Sequence, residues 1–295
     1  MSTFLRKLIF VLIGLLAGLA AWPVTEIILY FQTLFSSYLI FSVIQGVCVG
    51  GVMGGFFGSI ESITLSKRGS IIPSVFMGAV IGIFGGLIGF LLGQGVLTLV
   101  MEYSLSNQIF INYGIPISRI TGWTCLGLFI GSVEGIRSMS WIKIKVGITG
   151  GLIGGLLGGL SLEFLRLLIP EIMYARLVGL LIMGSLIGLF YSLIEHRYSI
   201  GVLKLLNGKL KNKEFLIVNK LIKIGSSDHS DIQLKDYTGI ADFHAEIHIR
   251  ENKILIANSD SKNPVIVNEY RIKEHLLKYE DIVHIGTAKL LFLYK

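Results

Sequence analysis

Three glutamates recur in similar short segments of the apolar N-terminal two-thirds of the chain. A carboxylate is a side chain that can bind a cation or a proton. The glutamates lie in the segments GSIES, GSVEG and YSLIE, which contain Glu61, Glu134 and Glu195. Ionisable side chains inside membrane segments often mark the path of an ion or a proton. A transport site at these three carboxylates is therefore one interpretation of the pattern.

The neighbouring bases give a simpler interpretation of the same carboxylates. An arginine follows each glutamate along the chain, and the three arginines are Arg68, Arg137 and Arg197. We therefore expect these carboxylates, at the edge of a membrane, either to pair with those bases or to reach water. Glu163 and Arg166 are three residues apart, so on a helix they lie on one face and are expected to pair with each other.

Motifs of catalysis are not found in this sequence. The apolar part contains no HExxH pattern, no phosphate-binding loop and no serine or cysteine nucleophile with a plausible base partner. Cys48 and Cys125 lie inside apolar runs, where a thiol is usually a small packing residue. We predict that the protein is not an enzyme and that it binds no metal and no cofactor.

The elements that carry these residues are predicted to cross a membrane. The chain has 295 residues, of which 53% are hydrophobic and 15% charged, and its mean hydropathy is +0.73. Soluble globular proteins do not reach such values. Roughly 20 apolar residues cross the hydrocarbon layer, which predicts six spans. They run approximately from 5 to 30, 38 to 60, 71 to 100, 116 to 135, 144 to 169 and 174 to 195.

The basic residues predict the orientation of these spans, because Lys and Arg are enriched in short cytoplasmic loops. An N-terminus in the cytoplasm places eight of the bases before residue 200 on the cytoplasmic side and three outside. Both termini are therefore predicted to be cytoplasmic, in a bacterial cell membrane. The same rule accounts for the positive charge of this part without a nucleic-acid partner. No clear cleavage site follows the first apolar stretch, so we interpret it as a retained span.

Glycine is concentrated in the apolar part, which holds 31 of the 36 glycines. Patterns such as GGVMGGFFG and GGLIGGLLGG place small residues four apart, where helix backbones can approach closely in lipid. The recurring glycine runs also indicate helical hairpins duplicated in parallel. The glycine faces meet either within one chain or between chains, so a homo-oligomer is one expectation, and pore lining is a minority alternative.

From Val202 onward the pattern changes to short runs of Ile, Leu and Val that are separated by Asn, Asp, Gly and Ser. Runs such as AEIHIRENKILIA predict strands and hairpins of a small β-sandwich. The fold class is therefore an α-helical transmembrane bundle followed by an all-β sandwich. We predict a transmembrane domain at 1–198 and a cytosolic domain at 201–295. The linker between them is too short to let the second domain move freely relative to the membrane.

Three loop motifs of the second domain resemble those of the forkhead-associated (FHA) domain. IKIGSSDHSDIQL at 222–234 resembles its opening recognition loop, and IADFHAEI at 240–247 resembles its serine-x-x-histidine stretch. NSDSKNPVIVN at 258–268 resembles its asparagine-bearing turn. The resemblance covers nearly all of 201–295, and it implies a sandwich whose loops at one end read phosphothreonine on a partner peptide.

The resemblance implies roles for individual residues of these loops. Gly225 and His244 match the family's structural glycine and histidine. The candidates for peptide or phosphopeptide binding are Ser226, Ser227, Asn263 and Asn268.

The sequence also departs from the family pattern at the phosphate site. Ser226 stands where the family has arginine, Ala241 stands where it has the phosphate-binding serine, and Asp242 follows at a position that is often basic. A dianionic phosphate needs charge-assisted donors, so we predict that phosphothreonine binding is weakened or lost. Lys223 or Lys235 could supply compensating charge.

These observations together predict a membrane-anchored adaptor or scaffold. Its FHA-like domain docks a cytosolic protein partner, phosphorylated or not, and membrane lipid surrounds the helices. The alternative is a channel or transporter that the FHA-like domain regulates. A pull-down with the second domain tests the first prediction, and solute flux into proteoliposomes tests the alternative.

Overall fold

The structure is a computed structural model that describes residues 3–65, 68–103, 108, 110–250, 253–260 and 262–294. The chain divides into two units. The helical unit comprises Lys7–Ile63 and Ile71–Ile194. The β unit comprises Met1–Arg6, Thr64–Ser70 and Glu195–Lys295, so it includes short segments from the first part of the chain.

Six long α-helices lie between residues 3 and 198. They are α1 (Thr3–Tyr30), α2 (Tyr38–Thr64), α3 (Ile71–Tyr103), α4 (Ile115–Arg137), α5 (Trp141–Leu168) and α6 (Ile172–Tyr198). Single turns of 3₁₀-helix at Gln32–Leu34 and Arg68–Ser70 follow α1 and α2, and a π-helical turn at Phe110–Gly114 precedes α4. Each predicted span falls on one of the six helices.

Five of these helices, α1, α2, α3, α5 and α6, are long and apolar enough to cross a membrane. The protein is therefore an integral membrane protein with a helical bundle, as the composition predicts. Helix α4 corresponds to the predicted span at 116–135, but it is not among the five. Arg119 and several hydroxyl residues of α4 lower its hydropathy.

The helices of the bundle approach one another through glycine. A Cβ atom added to either member of a facing pair would collide with the backbone carbonyl of the other. The facing pairs include Gly46 with Gly86, Gly50 with Gly82 and Gly54 with Gly78 between α2 and α3, Gly127 with Gly151 and Gly131 with Gly147 between α4 and α5, and Gly14 with Gly184 between α1 and α6. These glycines pack helices within one chain, in agreement with small residues serving close approach in lipid.

The repeated glutamates take part in ion pairs. Glu61 accepts a hydrogen bond of 2.6 Å from the Nζ of Lys143 and lies 3.4 Å from the guanidinium of Arg137. Glu134 pairs with the same arginine at 2.8 Å. Three helices are therefore joined by one buried charge cluster. The side chain of Arg68, the base expected beside Glu61, lies outside the described side chains.

The third glutamate pairs with a base other than the expected one. The carboxylate of Glu195 binds the guanidinium of Arg6 through hydrogen bonds of 2.8 and 3.1 Å, and both side chains are buried. The expected partner, Arg197, is only two residues further along α6, and residues two apart on a helix do not face each other. The pairing instead joins the start of α1 to the end of α6.

The β unit contains eleven strands within its described residues. They are β1 (Gly201–Leu205), β2 (Glu214–Ile217), β3 (Leu221–Gly225), β4 (Ile232–Gln233), β5 (Ala245–Arg250), β6 (Lys253–Asn258), β7 (Val265–Val267), β8 (Tyr270–Ile272), β9 (Glu274–Leu276), β10 (Ile282–Ile285) and β11 (Ala288–Tyr294). They form one sheet in the order β2-β1-β11-β10-β7-β8 and a second in the order β4-β3-β5-β6-β9.

The two sheets enclose a core of aliphatic side chains. Alternate residues of the strands point inward, so Ile222 and Ile224 of β3 and Ile254 and Ile256 of β6 are buried while the residues between them are not. This period of two is the alternation visible in the sequence. The β-sandwich predicted for the C-terminal part of the chain is therefore confirmed.

Candidate peptide-docking site

The register of the second sheet brings three loops to one edge. Ile224, next to the last residue of β3, lies opposite Ala245, the first residue of β5, and Ala245 lies opposite Asn258, the last residue of β6. The loops that follow β3, precede β5 and follow β6 therefore leave the sheet at the same end. These are the three segments that carry the FHA-like motifs.

His244 ties the three loops together and is fully buried. Its N–H donates to the carbonyl of Ile224 at 2.9 Å, and its own carbonyl accepts from the N–H of Ser259 at 3.0 Å. Its Nδ1 accepts a hydrogen bond of 3.3 Å from the N–H of Ala241. Burial lowers the pKa of His244, although the carbonyl of Pro264 acts in the opposite direction. A neutral ring suits this bracing position.

Gly225 allows the first two loops to touch. A Cβ at this position would collide with the carbonyl of Asp242. Directly beyond it, the N–H of Ser226 donates to the carbonyl of Ala241 at 3.0 Å. The buried hydroxyl of Ser230 donates to the carbonyl of Asp242 at 2.9 Å. Only glycine permits this backbone approach.

The side chain of Ser226 is directed to a carboxylate. Its hydroxyl donates a hydrogen bond of 3.0 Å to Oδ1 of Asp242. The resemblance would place an arginine at Ser226 and the phosphate-binding serine at Ala241. A phosphate brought here would meet a negative charge, and it would have to displace the carboxylate to gain the Ser226 hydroxyl as a donor.

The loop after β3 is held by its own side chains. The hydroxyl of Ser227 accepts a hydrogen bond of 3.2 Å from the N–H of His229. Asp228 accepts from Lys235 at 2.7 Å and from Gln233 at 2.6 Å. The lysine, followed by the amide, holds the pKa of Asp228 below its usual value. Lys235 is thus engaged with a carboxylate of its own loop.

Lys223, the second cation considered for phosphate binding, lies against an aromatic ring. Its Nζ is 5.4 Å from the centre of the Phe243 ring, a cation–π contact. The Phe243 side chain is 42% exposed although it lies between the buried His244 and the carboxylate of Asp242. An apolar ring and a carboxylate are therefore adjacent on this end of the sandwich.

The third loop adds a second carboxylate. The amide of Asn263 donates a hydrogen bond of 2.6 Å to Oδ2 of Asp260. The N–H of Lys262 donates to Oδ1 of the same residue at 3.0 Å. These donors, the N–H first, hold the pKa of Asp260 below its usual value, so the carboxylate is charged at neutral pH. The amide of Asn263 is therefore hydrogen-bonded within this turn.

Asn268 is separated from the other three candidate residues. It occupies the turn between β7 and β8, with a φ of 47°. Its amide donates to Asp281 at 2.7 Å, and its side-chain oxygen accepts from the N–H of Ile282 at 3.0 Å. Strand β7 separates it from Asn263, and an extended chain advances about 3.3 Å per residue, so the two asparagines are roughly 15 Å apart. Asn268 therefore shapes a hairpin at the other end of this strand.

Three residues of the site were not identified from the sequence. They are Asp260, Asp228 and Ser230, which fix the loops by hydrogen bonds to neighbouring backbone or side-chain groups. Short polar side chains that bond two or three residues away are common in turns. That tendency marks such residues as turn formers, but it does not identify which partner each one finds.

The C-terminal segment matches a known family of domains. A family model described as "Inner membrane component of T3SS, cytoplasmic domain" matches residues 204–295. It covers less than a third of the chain, so it concerns the β-sandwich alone. No curated protein matches the chain.

Several solved structures are similar to the same segment. The FHA domain of a Chlamydia trachomatis protein is 33% identical and has a TM-score of 0.31, and the match covers 33% of this chain and 99% of that one. An FHA domain from a study of phosphothreonine-dependent interactions is 23% identical with a TM-score of 0.31, over 33% of this chain and 98% of that one. The FhaA FHA domain, complexed with the intracellular domain of Rv3910, is 23% identical with a TM-score of 0.29, over 31% and 98%.

The family model and the order of the loop motifs agree with the two-sheet topology. The C-terminal part of this membrane protein is a domain of the forkhead-associated type.

Proposed function

We propose that the protein is a membrane-anchored adaptor whose FHA-type domain docks a protein partner without requiring phosphate. Residues 1–198 anchor the chain in lipid, and 201–295 form the docking domain. The hydrogen bond from Ser226 to Asp242 is the observation that carries the proposal. It engages the Ser226 hydroxyl, at the position where the family has arginine, with a carboxylate.

The charges of this end support a partner whose contact residues are neutral or basic. Asp242 and Asp260 both lie on the loops that meet there. Of the lysines considered for phosphate binding, Lys235 is paired with Asp228 and Lys223 lies against Phe243. Complementary charge speeds association and discriminates against like-charged partners. A phosphopeptide is disfavoured by the same carboxylates.

Phe243 is the proposed apolar anchor of the interface. Aromatic side chains that are buried on binding contribute strongly to protein–protein affinity. Phe243 is exposed, and the bracing of His244 fixes the loop that carries it. Replacement of Phe243 by alanine should weaken partner binding at least tenfold. Alanine at Tyr270, an exposed aromatic on β8, is the matched control and should leave binding unchanged.

Both chain termini are proposed to lie on the cytoplasmic side of a bacterial cell membrane. The matching family model describes a cytoplasmic domain of an inner membrane component. The Arg6–Glu195 pair supports a common side, because it joins the start of α1 to the end of α6. A common side requires an even number of membrane crossings, so we propose that α4 crosses the membrane together with the five other helices.

Thiol-reagent labelling of a cysteine placed at Lys211 in intact cells and in inverted vesicles tests this arrangement. Labelling restricted to inverted vesicles supports it, and labelling of intact cells contradicts it.

The docking proposal is tested with the full-length protein in nanodiscs. Immobilised nanodiscs are probed with a library of phosphothreonine peptides and with the same peptides unphosphorylated. We expect bound peptides to be recovered equally or better from the unphosphorylated set, with enrichment of basic residues. Recovery confined to the phosphorylated set would contradict the proposal.

An interaction module with a membrane anchor needs no catalytic site, so the absence of enzymatic activity is part of this proposal. Domains of this type are interaction modules. The alternative of a channel or transporter regulated by the FHA-type domain stays a prediction, as does a homo-oligomer formed through the glycine-rich helices.

A further inference from the structure

The helical unit contains a cavity of about 360 Å³ that the docking role does not use. It lies toward the end of the bundle where α1, α3 and α5 finish and where α2, α4 and α6 begin, and all six helices contribute to its wall. Small-molecule sites in proteins occupy about 300–1,000 Å³. The cavity is therefore large enough for a small ligand or for the headgroup of a lipid.

Three arginines line this cavity together with one glutamate. Arg176 is paired with Glu26 through two hydrogen bonds of 2.6 and 2.7 Å. Glu163 is shared, because it accepts a hydrogen bond of 3.2 Å from Arg166 and lies 3.5 Å from Arg119. Three guanidinium groups thus face two carboxylates. The group carries one excess positive charge within a membrane-spanning bundle, where an unbalanced charge is costly.

Several donors on the cavity wall are left without a protein acceptor. Within the described residues, the guanidinium of Arg119 makes the 3.5 Å ion contact with Glu163 and no hydrogen bond. The side-chain amides of Gln45 and Gln94 also line the cavity and have no hydrogen-bond partner among the same residues. Side-chain amides and guanidinium groups carry N–H donors that can bind an acceptor entering the cavity. Three side chains from three helices therefore offer donors toward one space.

Aromatic and aliphatic side chains also line the cavity. Phe90 and Trp123 pack edge to face with their ring centres 5.1 Å apart, and Phe41 and Leu97 extend the surface. An occupant therefore meets charged and donor groups together with aromatic rings. Such a lining suits an anionic group that is attached to an apolar body, as well as a small anion alone.

We propose that this cavity is a binding site for a phosphate-bearing anion. Arg119 and Arg166 supply the charge, since the guanidinium fork matches the geometry of phosphate oxygens. The amides of Gln45 and Gln94 supply neutral donors. The anion is either the headgroup of an anionic lipid or free phosphate, which share this chemistry. The site does not depend on the docking role of the FHA-type domain.

The full-length protein, stripped of lipid in a neutral detergent, tests the site. Its thermal unfolding temperature is measured with inorganic phosphate, with phosphatidylglycerol and with phosphatidylcholine. A saturable rise with phosphatidylglycerol alone identifies a lipid headgroup, and a rise with inorganic phosphate identifies a free anion. Either result supports the proposal. Equal rises with phosphatidylglycerol and phosphatidylcholine, or no rise with any of the three, overturn it.

Substitutions assign the effect to the cavity. Arg119→Gln should weaken the apparent affinity at least tenfold, and Gln94→Leu should weaken it less because it removes a neutral donor. Arg197→Gln is the matched control, since it removes an exposed arginine at the other end of the helices. Each variant is first checked for a single monodisperse peak. Unchanged affinity in both Arg119→Gln and Arg166→Gln, with the fold intact, would overturn the assignment.

Discussion

The hydroxyl of Ser226 donates to Oδ1 of Asp242 across 3.0 Å, which closes the loop after β3 onto the loop before β5. In a phosphate-reading domain these two positions would face the ligand with a cation and further donors. In this chain the side chains of Ser226 and Asp242 hydrogen-bond to each other instead. This contact supports the proposal that the domain keeps the fold of its family but docks a partner without phosphate.

Restoring the family residues should create phosphate binding. The triple variant Ser226→Arg, Ala241→Ser and Asp242→Asn supplies a cation and a hydroxyl and removes a carboxylate. We expect phosphothreonine peptides to bind it at least ten times more tightly than the wild type, because charge-assisted hydrogen bonds replace repulsion. Fluorescence anisotropy with full-length protein in nanodiscs measures the change. The single variant Asp242→Asn should show a smaller gain, and a triple variant no better than the wild type would argue against the assignment of the loop.

Gly225 should be essential for the contact between the loops. Alanine at this position places a Cβ against the carbonyl of Asp242, so the loops must separate and the hydrogen bond from the N–H of Ser226 is lost. We expect the melting temperature of the β unit to fall by at least about 4 °C, the shift for a loss of about 1 kcal/mol in a domain of this size. Gly95→Ala is the control, since nothing lies within 4 Å of its added Cβ. An equal effect of both variants would contradict this reading.

Arg6 and Glu195 should be energetically coupled, because both side chains are buried. Removing either partner leaves the other charge buried without it, which costs about 3–5 kcal/mol. Arg6→Met and Glu195→Met should each lower the melting temperature strongly. The drop in the double variant should be smaller than the sum of the two single drops. The exposed pair Lys235 and Asp228 serves as the control, with little expected coupling. Additive losses at Arg6 and Glu195 would show that the pair does not act as a unit.

The FHA-type domain should lose stability on mild acidification. Burial lowers the pKa of His244 and of His284, whereas an unfolded histidine titrates near about 6.5. The unfolded state therefore binds more protons below that pH, so this contribution to stability is complete above about 6.5 and declines as the pH falls.

Urea unfolding of residues 199–295, followed by circular dichroism, measures this dependence. The midpoint should be lower at pH 5 than at pH 7.5, and His284→Gln should reduce the difference. His229→Gln, a change at an exposed histidine, is the control and should not alter it. A midpoint that stays constant or rises on acidification would contradict the prediction.

The fold was predictable because its signals are local. Long apolar runs must be helices in lipid, since every backbone group needs a partner there, and the alternation around Ile254 and Ile256 can only be a half-buried strand. Helix α4 shows the limit of this reasoning. Polar residues of α4, such as Ser118 and Arg119, line the cavity. They make the mean hydropathy of α4 lower than that of the five other helices, although α4 still packs within the bundle.

The site was predictable only in part. The motifs identified the loops that carry Gly225, Ser226 and His244, because the register of β3, β5 and β6 follows from the sandwich. The motifs did not predict that Asn263 and Asn268 lie at opposite ends of β7, because the distance between them depends on the length of that strand. The pairing of Arg6 with Glu195 was also missed, since ion pairs between residues far apart in the chain leave no pattern in a single sequence.

The measurement that tests the central claim most directly is the ratio of two dissociation constants. A peptide selected by the full-length protein in nanodiscs is titrated with its contact threonine either free or phosphorylated. A carboxylate at the centre of the site predicts that the phosphorylated form binds equally or more weakly. Tighter binding of the phosphorylated form, lost when Ser226 is replaced by alanine, would show that the site still reads phosphate and would contradict the account.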